Sequence, residues 1–149
     1  MHKRRSGFTL IEILIVMAIM GIVAMMALPK MGHMNDRNRM RSAKDGISAK
    51  LAAARAAAIA TGRPSKFYMQ SDSMRFTVFN GPTETAKGAT VYLSRQFGVT
   101  VTSPGFSIVF DGRGMTSGNA QKINFYRGEV SDSICISPIG LINRHGCAQ

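Results

Sequence analysis

The sequence is poor in acid: eight aspartates and glutamates stand against 19 lysines and arginines, with two cysteines, three histidines and five prolines. Two cysteines exclude a disulfide-stapled miniprotein, and with the scattered His2, His33 and His145 they leave little from which to build a metal centre. Asp72, Glu84, Asp111, Glu129 and Asp132 show no spacing of nucleophile, base and orienting group. Gly112 and Gly114 form G-x-G without the following helix and downstream acid that a dinucleotide fold needs. The chain is therefore not expected to be an enzyme, and no cofactor is implied. Neither an internal repeat nor a low-complexity tract is present, although Ala52 to Ala60 is rich in alanine.

What the sequence does have is one long apolar run, Gly7 to Leu28 (GFTLIEILIVMAIMGIVAMMAL), broken only by Glu12. As a helix, Phe8 to Leu28 would extend roughly 31 Å at 1.5 Å per residue, matching a hydrocarbon thickness of about 30 Å. A carboxylate in such a segment costs about 2.5 to 3.5 kcal/mol on insertion scales, so Glu12 needs a partner or a task. Lys3, Arg4 and Arg5 crowd the start of the run, which places the N-terminus in the cytoplasm and sends the remainder across the membrane. A secretory signal peptide is the competing reading. The run is too long for one, and the alanines at 24 and 27 are interrupted by Met25 and Met26 and followed by Leu28, Pro29 and Lys30, with no clean small-x-small site. The rest, about 120 residues, suffices for one small domain with its own core.

Gly7-Phe8-Thr9-Leu10-Ile11-Glu12, set between a short basic leader and an apolar helix that ends near Pro29, resembles the processing site of type IV pilins and secretion pseudopilins. The resemblance implies cleavage after Gly7 by a membrane prepilin peptidase, N-methylation of the new terminus at Phe8, and helix-to-helix assembly with other pilins or pseudopilins. It also gives Glu12 a partner. The α-amino group created at Phe8 of one subunit can pair with the Glu12 carboxylate of its neighbour inside a low-dielectric bundle, which fixes axial register. Gly7 is then a recognition residue, small enough for an extended backbone to enter a protease site.

Beyond the apolar run, Pro29 is expected to kink or interrupt the helix, and Lys30 to Asp36, with Gly32, to be weakly helical or melted. Asp36 to Ala60 reads as helix again, because Met40, Ala43, Ile47, Leu51, Ala54 and Ala58 recur at three- and four-residue spacing. Gly62 and Pro64 fall where a C-cap and a stop belong. Arg37, Arg41, Lys44 and Arg55 mark the opposite face, most simply solvated, with Arg37, Arg39 and Arg41 near lipid headgroups or a neighbouring subunit as the alternative. From Ser65 the pattern turns to short β-branched and aromatic runs: 66–69, 75–80, 90–97, 99–102, 106–110, 121–126, 133–137 and 141–144. Turn residues at 80–82, 103–105, 111–114, 116–119 and 127–128 separate them. The expected fold is α+β, a long N-terminal helix packed on a small antiparallel β domain, the type IV pilin-like architecture. Its parts would be the leader 1–7, the transmembrane and assembly helix 8–28, the continuing spine 29–62 and the exported β domain 63–149.

Cys135 and Cys147 lie on the exported side, where a disulfide is permitted and would tie the chain end to a strand. Free thiols are the alternative, as is a metal site with His145, which lacks a fourth ligand. Phe110-Asp111-Gly112-Arg113-Gly114 followed by Ile134-Cys135-Ile136-Ser137-Pro138-Ile139-Gly140 resembles the GspH/FimT branch of minor pilins and pseudopilins. Some members of that branch follow the glycine with arginine-x-arginine, implicated in DNA binding during natural transformation; here Leu141-Ile142-Asn143 intervenes and arginine is displaced to Arg144.

Charge keeps a DNA partner in view. Removing Lys3, Arg4 and Arg5 lowers the +11 of the whole chain to +8 on side chains, which favours acidic partners: anionic lipid, acidic protein or nucleic acid. Arg113, Lys122, Arg127 and Arg144 are the candidate phosphate contacts. No base-stacking set accompanies them, since Phe106, Phe110, Phe125 and Tyr126 fall in strands where core packing accounts for them. The implied function is that of a minor pilin at or near a pilus tip, held first in the inner membrane with an exported domain. A type II secretion pseudopilin in a periplasmic filament and a DNA-binding pilus receptor are the alternatives.

Overall fold

The computed structural model describes residues 8–102, 105–144 and 147, with the side chains of 26–31 and 33 outside that description. Two compact units are present, Met1–Asn35 and Asp36–Gln149. Helix α1, Leu10–Thr61, begins in the first and ends in the second.

In the first unit the helix starts two residues after Phe8. The Thr9 carbonyl accepts from the Glu12 and Ile13 N–H groups at 3.1 and 3.4 Å, and its Oγ1 also accepts from the Glu12 N–H at 3.4 Å. Thr9 is thus an N-cap and Glu12 stands three residues on, the spacing of a capping box, with its acid in the first turn where the helix dipole favours it. Helical structure continues through Pro29 and Gly32 without a break, so the expected melting of Lys30 to Asp36 does not occur. Proline removes one N–H, and the surrounding ladder carries the helix past it. The kink expected at Pro29 concerns a side chain outside the described residues.

The second unit is a helix laid on two four-stranded antiparallel sheets. One has strand order β3-β2-β1-β5 and the other β4-β6-β7-β8. The strands are β1 Ser65–Met69, β2 Ser73–Asn80, β3 Thr83–Tyr92, β4 Thr100–Val101, β5 Phe106–Phe110, β6 Gln121–Arg127, β7 Val130–Ile136 and β8 Ile142–Asn143. Met40, Ala43, Ile47, Leu51, Ala54 and Ala58 of α1 form the buried stripe. They share one core with Phe67, Met69, Met74, Phe76, Ile108 and Phe110 of the first sheet and Val101, Ile123, Phe125, Ile134 and Ile136 of the second. Burying each large side chain contributes roughly 1.5 to 3 kcal/mol, so this stripe is what holds the helix to the sheets. The helix stops in a Schellman motif. Gly62, at φ +62°, donates to the Ile59 carbonyl and Arg63 donates to the Ala58 carbonyl.

Two expectations need correction. The run 90–97 is not one strand: β3 spans Thr83–Tyr92 and a short helix α2, Leu93–Gln96, follows. The Leu93 and Ser94 N–H groups donate to the Asp72 carbonyl and carboxylate, and Leu93 is buried, so a residue 22 positions upstream from Ser94 starts this turn. Tyr126 was expected in the core but is 43% exposed, since it shares the outward side of β6 with Lys122 and Asn124.

Candidate functional site

Two features stand out beyond the core: the apolar first part of α1 and the ion pairs that clamp its second part to the sheets. From Leu10 to Met25 every residue is exposed, Leu10 by 80% and Ile22 by 61%. Monomeric proteins rarely expose so large an apolar surface unless it is an interaction site. Glu12 is the one charge in this stretch. Among the described residues no helix is long and apolar enough to cross a membrane. Phe8 and Thr9 precede the helix and the side chains of Met26 to Leu28 lie outside the description, so the described side chains cover only part of the expected span 8–28. Gly7 and the basic leader also lie outside the described residues, leaving Phe8, exposed, as the described half of the expected cleavage site.

The second part of α1 meets the second sheet through charge. Lys44 Nζ donates to both oxygens of Asp132 on β7 at 2.7 and 2.8 Å, and the Ser133 N–H donates to the same carboxylate at 2.7 Å. The side chains of Lys44 and Asp132 are 14% and 33% exposed, so screening by water is only partial. Arg127 pairs with Asp36 at 2.6 Å and also donates to the Gly98 carbonyl at 2.8 Å. Arg144, just past β8, pairs with Asp45. Lys44 is therefore not on a solvated face, as its helical position suggested. Nor is Arg55, whose Nε donates to the Gly114 carbonyl at 2.9 Å and whose Nη2 donates to the Ile139 carbonyl at 3.3 Å.

Arg55 explains why the two glycine-bearing motifs occur together. It bridges the turn after β5 to the turn after β7, and Thr116 adds an N–H bond of 2.9 Å to the Pro138 carbonyl. The approach is too close for side chains: a Cβ at Gly112 would lie 2.6 Å from the Gly62 carbonyl oxygen, and one at Gly140, φ +73°, would collide with the Gly114 carbonyl oxygen. Within the first motif Asp111 accepts from the Met115 and Arg113 N–H groups, both at 2.9 Å. Those bonds, Met115 first, hold its carboxyl below the usual range.

The four candidate phosphate contacts do not form a free cationic track. Arg113 is paired with Asp111, Arg127 with Asp36 and Arg144 with Asp45, which leaves Lys122, exposed on β6, without a partner among the described residues. Cys135 and Cys147 are joined, so neither free thiols nor the metal alternative applies. Among the described residues no cluster able to hold a metal ion occurs. Sequence reading missed Thr9 as the helix cap, although T-x-x-E before an apolar run was visible, and placed Arg55 on a solvated face with no sign of its bridging role.

An exposed apolar helix with an acid in its first turn, continuing into a helix laid on antiparallel sheets, gives the chain a type IV pilin-like fold. Residues 2–28 match the prokaryotic N-terminal methylation motif. The fold is similar to the crystal structure of the type IV minor pilin FimU from Pseudomonas aeruginosa PAO1, with a TM-score of 0.61 and 16% identity, covering 76% of this chain and 92% of that one. No curated protein matches the sequence.

Proposed function

We propose that the chain is a minor type IV pilin: cleaved after Gly7 by prepilin peptidase, methylated at Phe8, held in the inner membrane by its apolar helix with the β domain exported, and incorporated at or near the tip of a pilus to start or support its assembly. One observation carries the reading. Leu10 to Met25 is apolar on all sides and finds no cover within the described residues, so its burial must come from lipid and then from the helices of neighbouring subunits. The methylation motif over residues 2–28 supports the processing step, and the minor-pilin likeness of the fold supports the class. A pilus receptor for DNA is the poorer reading, because three of its four candidate cations are already paired.

Glu12 sets register by pairing with the neighbour's methylated amino terminus. Because Glu12 also stands at the third position of a capping box, two substitutions separate the roles. Glutamine serves in that box as well as glutamate but carries no charge. Mass spectrometry of chain from cells with and without the peptidase should show a terminus at Phe8, heavier by about one methyl group, only when the peptidase is present. Glu12→Ala and Glu12→Gln should both be processed yet both incorporate poorly into sheared filaments. Normal incorporation of Glu12→Gln would reduce Glu12 to a helix cap, and an unprocessed chain in both strains would overturn the pilin assignment.

A further inference from the structure

We infer that the cleft between α1 and the second sheet, bounded by Arg41, Lys44, Asp45, Asp132 and Arg144, docks an acidic side-chain cluster of a different protein subunit, and that a second copy of this chain is not its occupant. The partner is a subunit of the filament proposed above, so the inference rests on that reading for its setting. Its chemistry comes from how the folded unit uses its charges.

From Asp36 onward nearly every acid is taken up by a partner within the unit. Asp36, Asp45, Asp111 and Asp132 are in ion pairs, Asp72 accepts from Ser94, and Glu84 accepts from Tyr68 and Thr77. Glu129 alone among the described acids of this unit has no partner, whereas Arg37, Arg39, Arg41, Lys87 and Lys122 are all exposed cations without one. A second copy presents the same excess, so copy against copy is repulsive.

The cleft gives that excess a shape. Its volume is about 400 Å³, open to solvent. Two of its cations are fixed by the acids beside them, Lys44 by Asp132 and Arg144 by Asp45, while Arg41 is unpaired, with Arg37 one turn before it on the same face. A guanidinium carries five N–H donors, and Arg144 spends one on Asp45, so both arginines retain donors in a fork that matches a carboxylate. The two aspartates in the lining decide between macromolecules. They neutralise Lys44 and part of Arg144, so the cleft lacks the row of free cations that a continuous phosphate track needs and offers Arg41 and the spare donors of Arg144 to discrete carboxylates.

The test uses full-length processed chain in uncharged detergent micelles at low salt, with a labelled short peptide of adjacent glutamates and aspartates flanked by glycine and serine, followed by fluorescence anisotropy. Arg41 is exposed and unpaired, so Arg41→Glu should keep the circular dichroism of the parent. It should weaken the peptide by about ten-fold or more, whereas Lys87→Glu, the same charge change on β3, should weaken it by less than about two-fold. Arg41→Glu should in return gain binding of a matching lysine peptide. Equal losses from the two substitutions, no binding by the parent chain, or tighter Arg41-dependent binding of a single-stranded oligonucleotide of similar charge would overturn the inference. Peptide binding as expected in a chain that never enters filaments would instead overturn the filament reading and leave the cleft's assignment standing.

Discussion

From Leu10 to Met25 helix α1 is apolar on every side and exposed, whereas from Met40 to Ala58 it is apolar along one stripe and that stripe is buried. The pattern reports where each part finds its partner. A single stripe fits one sheet-covered core in the same chain, and the other faces are left to charges that reach the sheets. An all-round apolar surface has no such solution within one domain and implies an environment that surrounds it, as lipid or a bundle of neighbouring helices does. Leu51→Ala, at a site with no solvent exposure, should destabilise the β domain by about 2 to 5 kcal/mol in urea unfolding followed by circular dichroism. Leu14→Ala should move the same midpoint by no more than about 0.5 kcal/mol and show its cost only in filament incorporation. Equal effects on the domain would erase the distinction between the two parts.

The disulfide sharpens the contrast, since it acts on the second part alone. Cys147 is tied to β7, and Arg144 between them pairs with Asp45 of α1. Cys147→Ser should destabilise the domain by about 2 to 4 kcal/mol, as expected for opening a short loop, and leave cleavage at Phe8 unchanged. Gly140→Ala should be milder, about 1 to 3 kcal/mol, because it forces a side chain onto a positive φ against the Gly114 carbonyl and pushes at the Arg55 bridge. A shift of the unfolding midpoint in Gly140→Ala that Arg55→Ala removes would show that the bridge transmits it.

How much of this was legible in the sequence depended on distance along the chain. The leader motif is consecutive, and the buried stripe of α1 repeats at three and four residues, so both could be read locally. The short strands with alternating apolar residues were found almost to the residue, Phe106–Phe110 among them. The stretch Thr83 to Ala89 was not seen as strand because it has no alternation; it is an edge, exposed along its length and paired only with β2. The pairing of the basic set was hidden for the same reason in reverse. Arg127 and Arg144 look free in sequence, but their acids lie 91 and 99 residues away, and only the fold brings them together. The cysteine pair was legible because there were only two.

Acid should separate the two parts of α1 by the smallest effect of the set. Three carboxylates at the surface of the β domain are held below their usual range: Asp72 by hydrogen bonds from Ser94, Glu84 chiefly by the Tyr68 hydroxyl, and Asp111 chiefly by the Met115 N–H. A depressed folded value means that each contributes stability above its unfolded pKa, about 4, and loses it as pH falls through the folded value. The urea midpoint of the domain should therefore hold from neutral pH to about pH 5 and decline below about pH 4. Asp72→Asn, Glu84→Gln and Asp111→Asn together should lower the midpoint at neutral pH and flatten that decline. None of the three lies on α1, so helicity of the segment around Leu10 to Met25 in detergent should not follow the same curve; a shared transition would mean that the exposed part of the helix depends on the sheets after all.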